Sequence, residues 1–183
     1  NNEWGAVAYL TQSIYGRCSN SISCVEIGTN NNSLYITGIG AASGAAASST
    51  KTNTYDTVLG MGASTTGNTY GIYDMSGGAN EYVMEVYNSL VASSGFSSLP
   101  NEKYYNLYTG TSYTGHALTE TQGWYNDGYS NVSSASTPWF VRGGANPSGM
   151  SIVMGIFYYS KQNGNSNSTS STPVSYTHLR AHE

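Results

Sequence analysis

The sequence predicts an α+β domain with a large share of irregular loop, and three observations carry that prediction. Residues 2–13 place Trp4, Val7 and Ala8 at the i, i+3, i+4 spacing of one buried helix face. Two short runs, 139–142 and 152–159, are dense in β-branched and aromatic residues and read as strands. Residues 88–136 are polar, irregular and punctuated by Tyr104, Tyr105, Tyr108, Trp124 and Tyr125, the pattern of functional loops on a compact scaffold.

In chain order, the first helix ends at Tyr15-Gly16. Cys18 and Cys24 follow in C-S-N-S-I-S-C. A disulfide closing a small loop is the favoured reading and points to an oxidising compartment. A zinc half-site would need two further ligands nearby, and no His or Cys follows; two free thiols are the other alternative. Residues 22–27 read as a short strand, and 34–39 as a β-prone run before the small-residue tract 40–50, a surface loop by composition. Residues 61–69 are turn-rich. Residues 79–87 read as a second helix with Ala79, Tyr82, Val83 and Val86 on one face. Asp74 or Ser76 would cap that helix and Glu81 would complement its dipole. Residues 162–172 show no pattern.

Composition narrows the function classes. The chain of 183 residues suits one domain with a real core. Charged residues are 9% of it, against about 25% in an ordinary soluble domain, so Asn, Ser, Thr and Gly must supply the polar surface together with 17 tyrosines. Tyr with Ser, Gly and Asn is the mixture that binding loops favour, pairing rigid contact area with adaptable hydrogen bonds. A net charge of −4 and six scattered Lys and Arg exclude a nucleic-acid binder, which needs a basic patch. No apolar run reaches the roughly 18 residues of a membrane span. No nucleophile elbow accompanies the abundant serines, and the spacing of Glu120 and Asp127 around Trp124 defines no acid pair.

Residues 68–82 read N-T-Y-G-I-Y-D-M-S-G-G-A-N-E-Y. This stretch resembles the signature N-x-[FY]-G-[LI]-[YW]-[DN]-M-x-G-N-[VA]-W-E-[WY] of the formylglycine-generating-enzyme, or sulfatase-modifying-factor, family, with Gly78 in place of the usual Asn and Asn80 in place of the usual Trp. Phe140-Val141-Arg142-Gly143-Gly144 is similar to that family's strand ending in R-G-G-S, and Glu3-Trp4 with Ala6 and Ala8 to its E-A-E-W-E helix. The three matches fall in the family's order. The resemblance implies a C-type-lectin-like fold, here expected as a domain over residues 1–173 truncated at both ends. Residues 174–183 back-translate at 174–179 to a transposon-end adapter, GTC-TCT-TAT-ACA-CAT-CTC, and are read as a sequencing artefact rather than native sequence.

The resemblance also implies chemistry. Family members that make formylglycine hold copper on a cysteine pair lying after the R-G-G strand. No Cys follows Arg142-Gly143-Gly144, so neither that reaction nor copper is expected. Iron held by histidines is not expected either, since His116 is the one His before the adapter-like tail. The family's calcium site falls, residue by residue, on the Asp74 side chain, the Gly77 and Ala79 carbonyls and the Glu81 side chain, all hard oxygen donors. Asn146, Met150, Tyr158 and Asn163 lie where family members vary their ligand-binding loops. Arg142 is expected to be structural, forking its guanidinium onto buried acceptors. The implied function is a non-catalytic recognition domain for a protein or glycan ligand, on a secreted, surface or pilus-like bacterial protein. Two alternatives stand beside it: a formylglycine-generating oxidoreductase whose catalytic part is missing from this chain, and a structural pilin or coat component.

Overall fold

The computed structural model describes residues 1–30, 38–40, 53–110, 113–130, 135–144 and 154–171. Helix α1 (Asn2–Thr11) opens it. Trp4, Ala8 and Thr11 form its buried stripe, and the Trp4 indole donates to the Ile156 carbonyl at 2.8 Å, so the helix is fastened to the far end of the chain. Two short strands follow, β1 (Cys18–Asn20) and β2 (Ser23–Cys24), antiparallel with Cys18 opposite Cys24. That register brings the two sulfurs together as a disulfide. The strand expected over 22–27 contracts to β2. Next, β3 (Ile39–Gly40) pairs with β4 (Asn53–Thr54); most of the 34–39 run and of the 40–50 tract lies outside the described residues.

The main sheet is built around β5 (Asn80–Tyr87). On one side β6 (Asn106–Tyr108) runs parallel to its second half and β9 (Ser170–Ser171) parallel to its start. On the other side lies β7 (Trp139–Arg142), antiparallel, followed by β8 (Tyr159–Gln162). The β7 strand falls on the residues the sequence assigns to it.

Three expectations need correction. The second helix over 79–87 is strand β5. Its apolar residues satisfy helical spacing, but Tyr82, Val83, Val86 and Tyr87 are β-branched or aromatic and prefer a pleated surface. A central strand covered on both sides loses the alternation that would have announced it, and a register irregularity between Val83 and Val86 blurs it further. Of the strand read at 152–159, residues 152–153 lie outside the described residues and 154–158 form a turn before β8 starts at Tyr159; the Phe157 amide donates to the Asp127 carboxylate at 2.9 Å and the Tyr158 amide to the Gly155 carbonyl at 3.0 Å. The patternless stretch 162–172 contains the end of β8 and all of β9.

The core lies between α1 and the sheet. Trp4, Ala8, Ile27, Met75 and Val83 meet Tyr108, Tyr113, Leu118, Phe140, Phe157 and Tyr159 there. Fully burying an aromatic such as Phe140 stabilises the fold by about 2–3 kcal/mol. Among the described residues no helix is long and apolar enough to cross a membrane.

Candidate functional site

The chain enters β5 through a turn that is pinned from three sides. Asp74, Gly77 and Gly78 all have positive φ, at 63°, 78° and 72°. The backbone of this turn pairs with Asn30: the Asn30 amide donates to the Ser76 carbonyl at 2.8 Å and the Gly78 amide to the Asn30 carbonyl at 2.6 Å. A third bond runs from the Gly77 amide to the Gly143 carbonyl at 2.9 Å, just beyond β7. A Cβ on Gly77 would sit 2.2 Å from the Asn30 carbonyl oxygen, so this approach requires glycine.

Asp74 locks the turn through its side chain. One carboxylate oxygen accepts from the Asn30 side-chain amide at 3.0 Å and the other from the Gly38 amide at 2.8 Å. With β5 a strand, there is no helix for Asp74 or Ser76 to cap and no dipole for Glu81 to complement. The helix-capping explanation of these acids is therefore removed. The Ser76 hydroxyl instead shares a 2.8 Å hydrogen bond with Thr29.

Glu81 stands at the mouth of the turn. Burial pushes its carboxyl up to about 8, and the neighbouring Asp74 carboxylate adds to the shift. Burial raises Asp74 as well, with the Gly38 and Asn30 hydrogen bonds opposing. Two partly desolvated acids thus repel one another. Among the described residues no three His, Cys, Asp or Glu side chains converge on one point, so a cation here would rest on these two carboxylates plus backbone oxygens. The Gly77 and Ala79 carbonyls lie between them in sequence, on the Gly-Gly turn.

Glu81 also lines a groove of about 690 Å³ bounded by Trp4, Tyr73, Lys103, Tyr104 and Tyr105. The Lys103 ammonium sits over the Tyr104 ring, 4.8 Å from its centre. Tyr104 is 60% exposed and presents most of its ring to solvent. A volume of this size is within the range of small-molecule sites.

Arg142 has a different surrounding. It is fully buried at the end of β7 and donates to the carbonyls of Ala117 at 2.9 Å, His116 at 3.2 Å and Ile156 at 3.5 Å. Its guanidinium also lies 5.7 Å from the Trp4 ring centre and 5.9 Å from that of Tyr159. These contacts tie β7 to the 116–117 segment and to the turn before β8, a structural role. Burial lowers the guanidinium to about 10, with the Glu85 charge acting the other way, so it stays charged at neutral pH. Close by, the Tyr108 hydroxyl and His116 Nδ1 share a 2.6 Å hydrogen bond, and burial lowers the His116 imidazole.

Of the residues expected to bind a ligand, the structure describes two. Asn146 and Met150 lie outside the described residues. Tyr158 and Asn163 flank opposite ends of β8, Tyr158 bonding toward Ser160 and Asn163 accepting from the Ser93 amide through its carbonyl. The acids around Trp124 act as loop fasteners: Glu120 accepts from the Gly115 and Leu118 amides, and Asp127 from Phe157.

Two acids, one buried and one half-buried, carry no role in the sequence reading. Glu85 is fully enclosed, without a hydrogen-bond partner for either carboxylate oxygen among the described residues. Its signal was the motif V-M-E-V, an acid wedged between apolar residues that cannot face water once the segment is a central strand. Glu26 is pushed up to about 7 by burial and by the charge of Asp127, a residue far away in sequence that no spacing rule connects to it. No protein-family model, curated protein or solved structure matches the chain.

Proposed function

We propose that this chain is a non-catalytic recognition domain of a secreted or surface bacterial protein, built on a formylglycine-generating-enzyme-like, C-type-lectin-like scaffold and braced by calcium. The observation that carries the reading is the groove of about 690 Å³ in which Tyr73, Tyr104 and Tyr105 stand beside Glu81. Rigid aromatic walls with a few convergent polar groups suit recognition of a protein segment or glycan. The mixed architecture, with Arg142-Gly143-Gly144 closing β7 beside the 74–81 turn, supports the scaffold: the Gly77–Gly143 hydrogen bond joins two of the three motifs on which the family resemblance rests. The Cys18–Cys24 disulfide supports an oxidising location.

Calcium fits the turn chemically. Among the described residues each Asp74 oxygen accepts one hydrogen bond and has capacity for a second partner, and a divalent cation would displace the proton that burial and Asp74 hold on Glu81. Gly77 and Ala79 would contribute carbonyls. The test is a calcium titration followed by thermal melting, together with capture of glycans and peptides by the intact chain with and without calcium. Calcium should raise the melting temperature, and Tyr104→Ala should abolish capture without changing the melt. Loss of the calcium shift only in Asp74→Ala and Glu81→Ala places the ion. An unchanged shift in both variants removes it from this turn.

A further inference from the structure

The sheet carries a second groove, of about 550 Å³, lined by Tyr82, Trp139 and Phe96 together with Ser94, Ser166 and Ser170. It is held open before any ligand arrives. The Trp139 indole donates to the Val91 carbonyl at 3.1 Å, the Tyr82 hydroxyl to the Asn165 carbonyl at 2.9 Å, and the Ser93 amide to the Asn163 carbonyl at 2.9 Å. These three bonds join loop 91–96, loop 163–166 and the sheet into one frame. Gly164, at φ 91°, completes it: a Cβ there would lie 2.7 Å from the Trp139 ring and from Ser94. Asn163, expected from the sequence to touch a ligand, holds the groove wall through its backbone carbonyl.

The chemistry of the lining selects an occupant. Among the described residues no Asp, Glu, Lys, Arg or His lines this groove. The polar handles of Tyr82 and Trp139 are already used internally, so both residues offer ring surface rather than donors. Phe96 tilts over Trp139 with ring centres 5.8 Å apart and is 45% exposed, leaving a free aromatic edge at the rim. Around that apolar floor stand short hydroxyls, and the Ser170 Oγ is buried without a hydrogen-bond partner among the described residues. The Ser94 Oγ accepts from the Phe96 amide at 3.4 Å and keeps its proton to donate. An apolar face bordered by short serine side chains, with no charged side chain among the described lining residues, complements a molecule having one C–H face and a ring of hydroxyls. We infer that this groove is a binding site for a neutral pyranose, a terminal sugar or one residue of a longer neutral glycan. The apolar floor alone would also admit a peptide side chain; the serine rim of Ser93, Ser94, Ser166 and Ser171 favours the sugar, because an aliphatic side chain would make no hydrogen bond to it.

The inference stands on a different groove from the recognition reading and needs neither calcium nor the family resemblance. It is tested on the full chain by saturation-transfer NMR and calorimetry, with the methyl glycosides of glucose, galactose and mannose as probes. Methyl glucuronide serves as the charged counterpart and N-acetyl-leucine methylamide as the peptide counterpart. At least one neutral glycoside should bind at about millimolar affinity, as befits so small a ligand. Phe96→Ala, at a half-exposed rim position, should weaken it roughly ten-fold with an unchanged melting temperature. Ser166→Trp should fill the groove and abolish binding; chelating calcium and Tyr104→Ala should leave it intact. The inference is overturned if no neutral glycoside binds the unmodified chain up to about 20 mM. It is equally overturned if both groove variants bind unchanged, or if the leucine probe or the glucuronide outcompetes every neutral sugar.

Discussion

Glu81 and Glu85 lie one after the other along β5 and titrate alike, both pushed up to about 8 by burial, yet their neighbourhoods are opposites. Glu85 is sealed in the core near a buried guanidinium, whose charge lowers its carboxyl against the desolvation. Glu81 opens onto a groove, and its charged neighbour is a second acid. Burial alone therefore does not mark a functional acid. The sign of the neighbouring charge and the access of solvent separate a carboxyl that completes a structure from one that is open to a ligand.

The largest expected effect probes the structural end of this contrast. Arg142→Met removes the cation and its bonds to three carbonyls, leaving those of His116 and Ala117 without the guanidinium, while Ile156 keeps the Trp4 indole. It should cost about 3–5 kcal/mol in urea unfolding at pH 7. Adding Glu85→Leu to Arg142→Met should recover part of that loss, because an uncompensated buried acid is itself costly. A cost below about 1 kcal/mol for the single variant would mean that the guanidinium is not the strut described here.

Next in size is calcium. At a hundred times its dissociation constant, calcium should add about 2.7 kcal/mol, or roughly 5–10 °C in melting temperature for a chain of this length. Glu81→Gln should erase that gain and Glu85→Gln should leave it whole. Equal losses in the two variants would collapse the distinction between the acids.

Without calcium, pH distinguishes them less sharply. A carboxyl raised on folding keeps its proton where the unfolded chain has lost it, so its stabilising contribution is full below the unfolded value near 4.5 and vanishes as pH rises through about 8. In a chelator, stability should fall between pH 5 and pH 8, by at most about 1.4 kcal/mol per pH unit for each titrating group. Glu81→Gln and Glu85→Gln should each flatten the slope. Calcium should flatten it in the Glu85→Gln variant but not in Glu81→Gln, since the ion competes with the proton at the Asp74–Glu81 pair and not at Glu85. Chemical denaturation at a series of pH values reads all of these.

The same contrast explains what the sequence could disclose. α1 and β7 were legible because Trp4 and Ala8 keep one helical face and Trp-Phe-Val-Arg is an uninterrupted buried strand. β5 was not, because Ala79, Tyr82, Val83 and Val86 satisfy helical spacing as well as any helix does, and a strand covered by neighbours has no polar face to break the tie. Misreading β5 hid the meaning of its acids. On a helix Asp74 and Glu81 have a local explanation in capping; with β5 a strand that explanation goes, Asp74 fastens the turn through Asn30 and Gly38, and Glu85 becomes a core residue. The groove around Glu81 was illegible for another reason. Trp4, Tyr73 and Tyr104 come from separate parts of the chain, and only packing brings them together.

The smallest expected effect tests how the Asp74 carboxylate is prepared. The Asn30 side-chain amide donates to one of its oxygens, and that hydrogen bond is among the forces lowering an acid that burial raises. Asn30→Ala deletes the donor and leaves the backbone pairing of Asn30 with Ser76 and Gly78 in place, so the turn should persist at a cost of about 1 kcal/mol. Two readouts should move beyond that small loss. The Asp74 carboxyl carbon, followed by NMR, should titrate at higher pH than in the unmodified chain, while Glu85, which shares no partner with Asn30, should not shift. Calcium should bind roughly ten-fold more weakly, as expected when a ligand's supporting hydrogen bond is removed. A shift at Asp74 with unaltered calcium affinity would separate the two properties, leaving the Asn30 bond as a fastening of the turn alone.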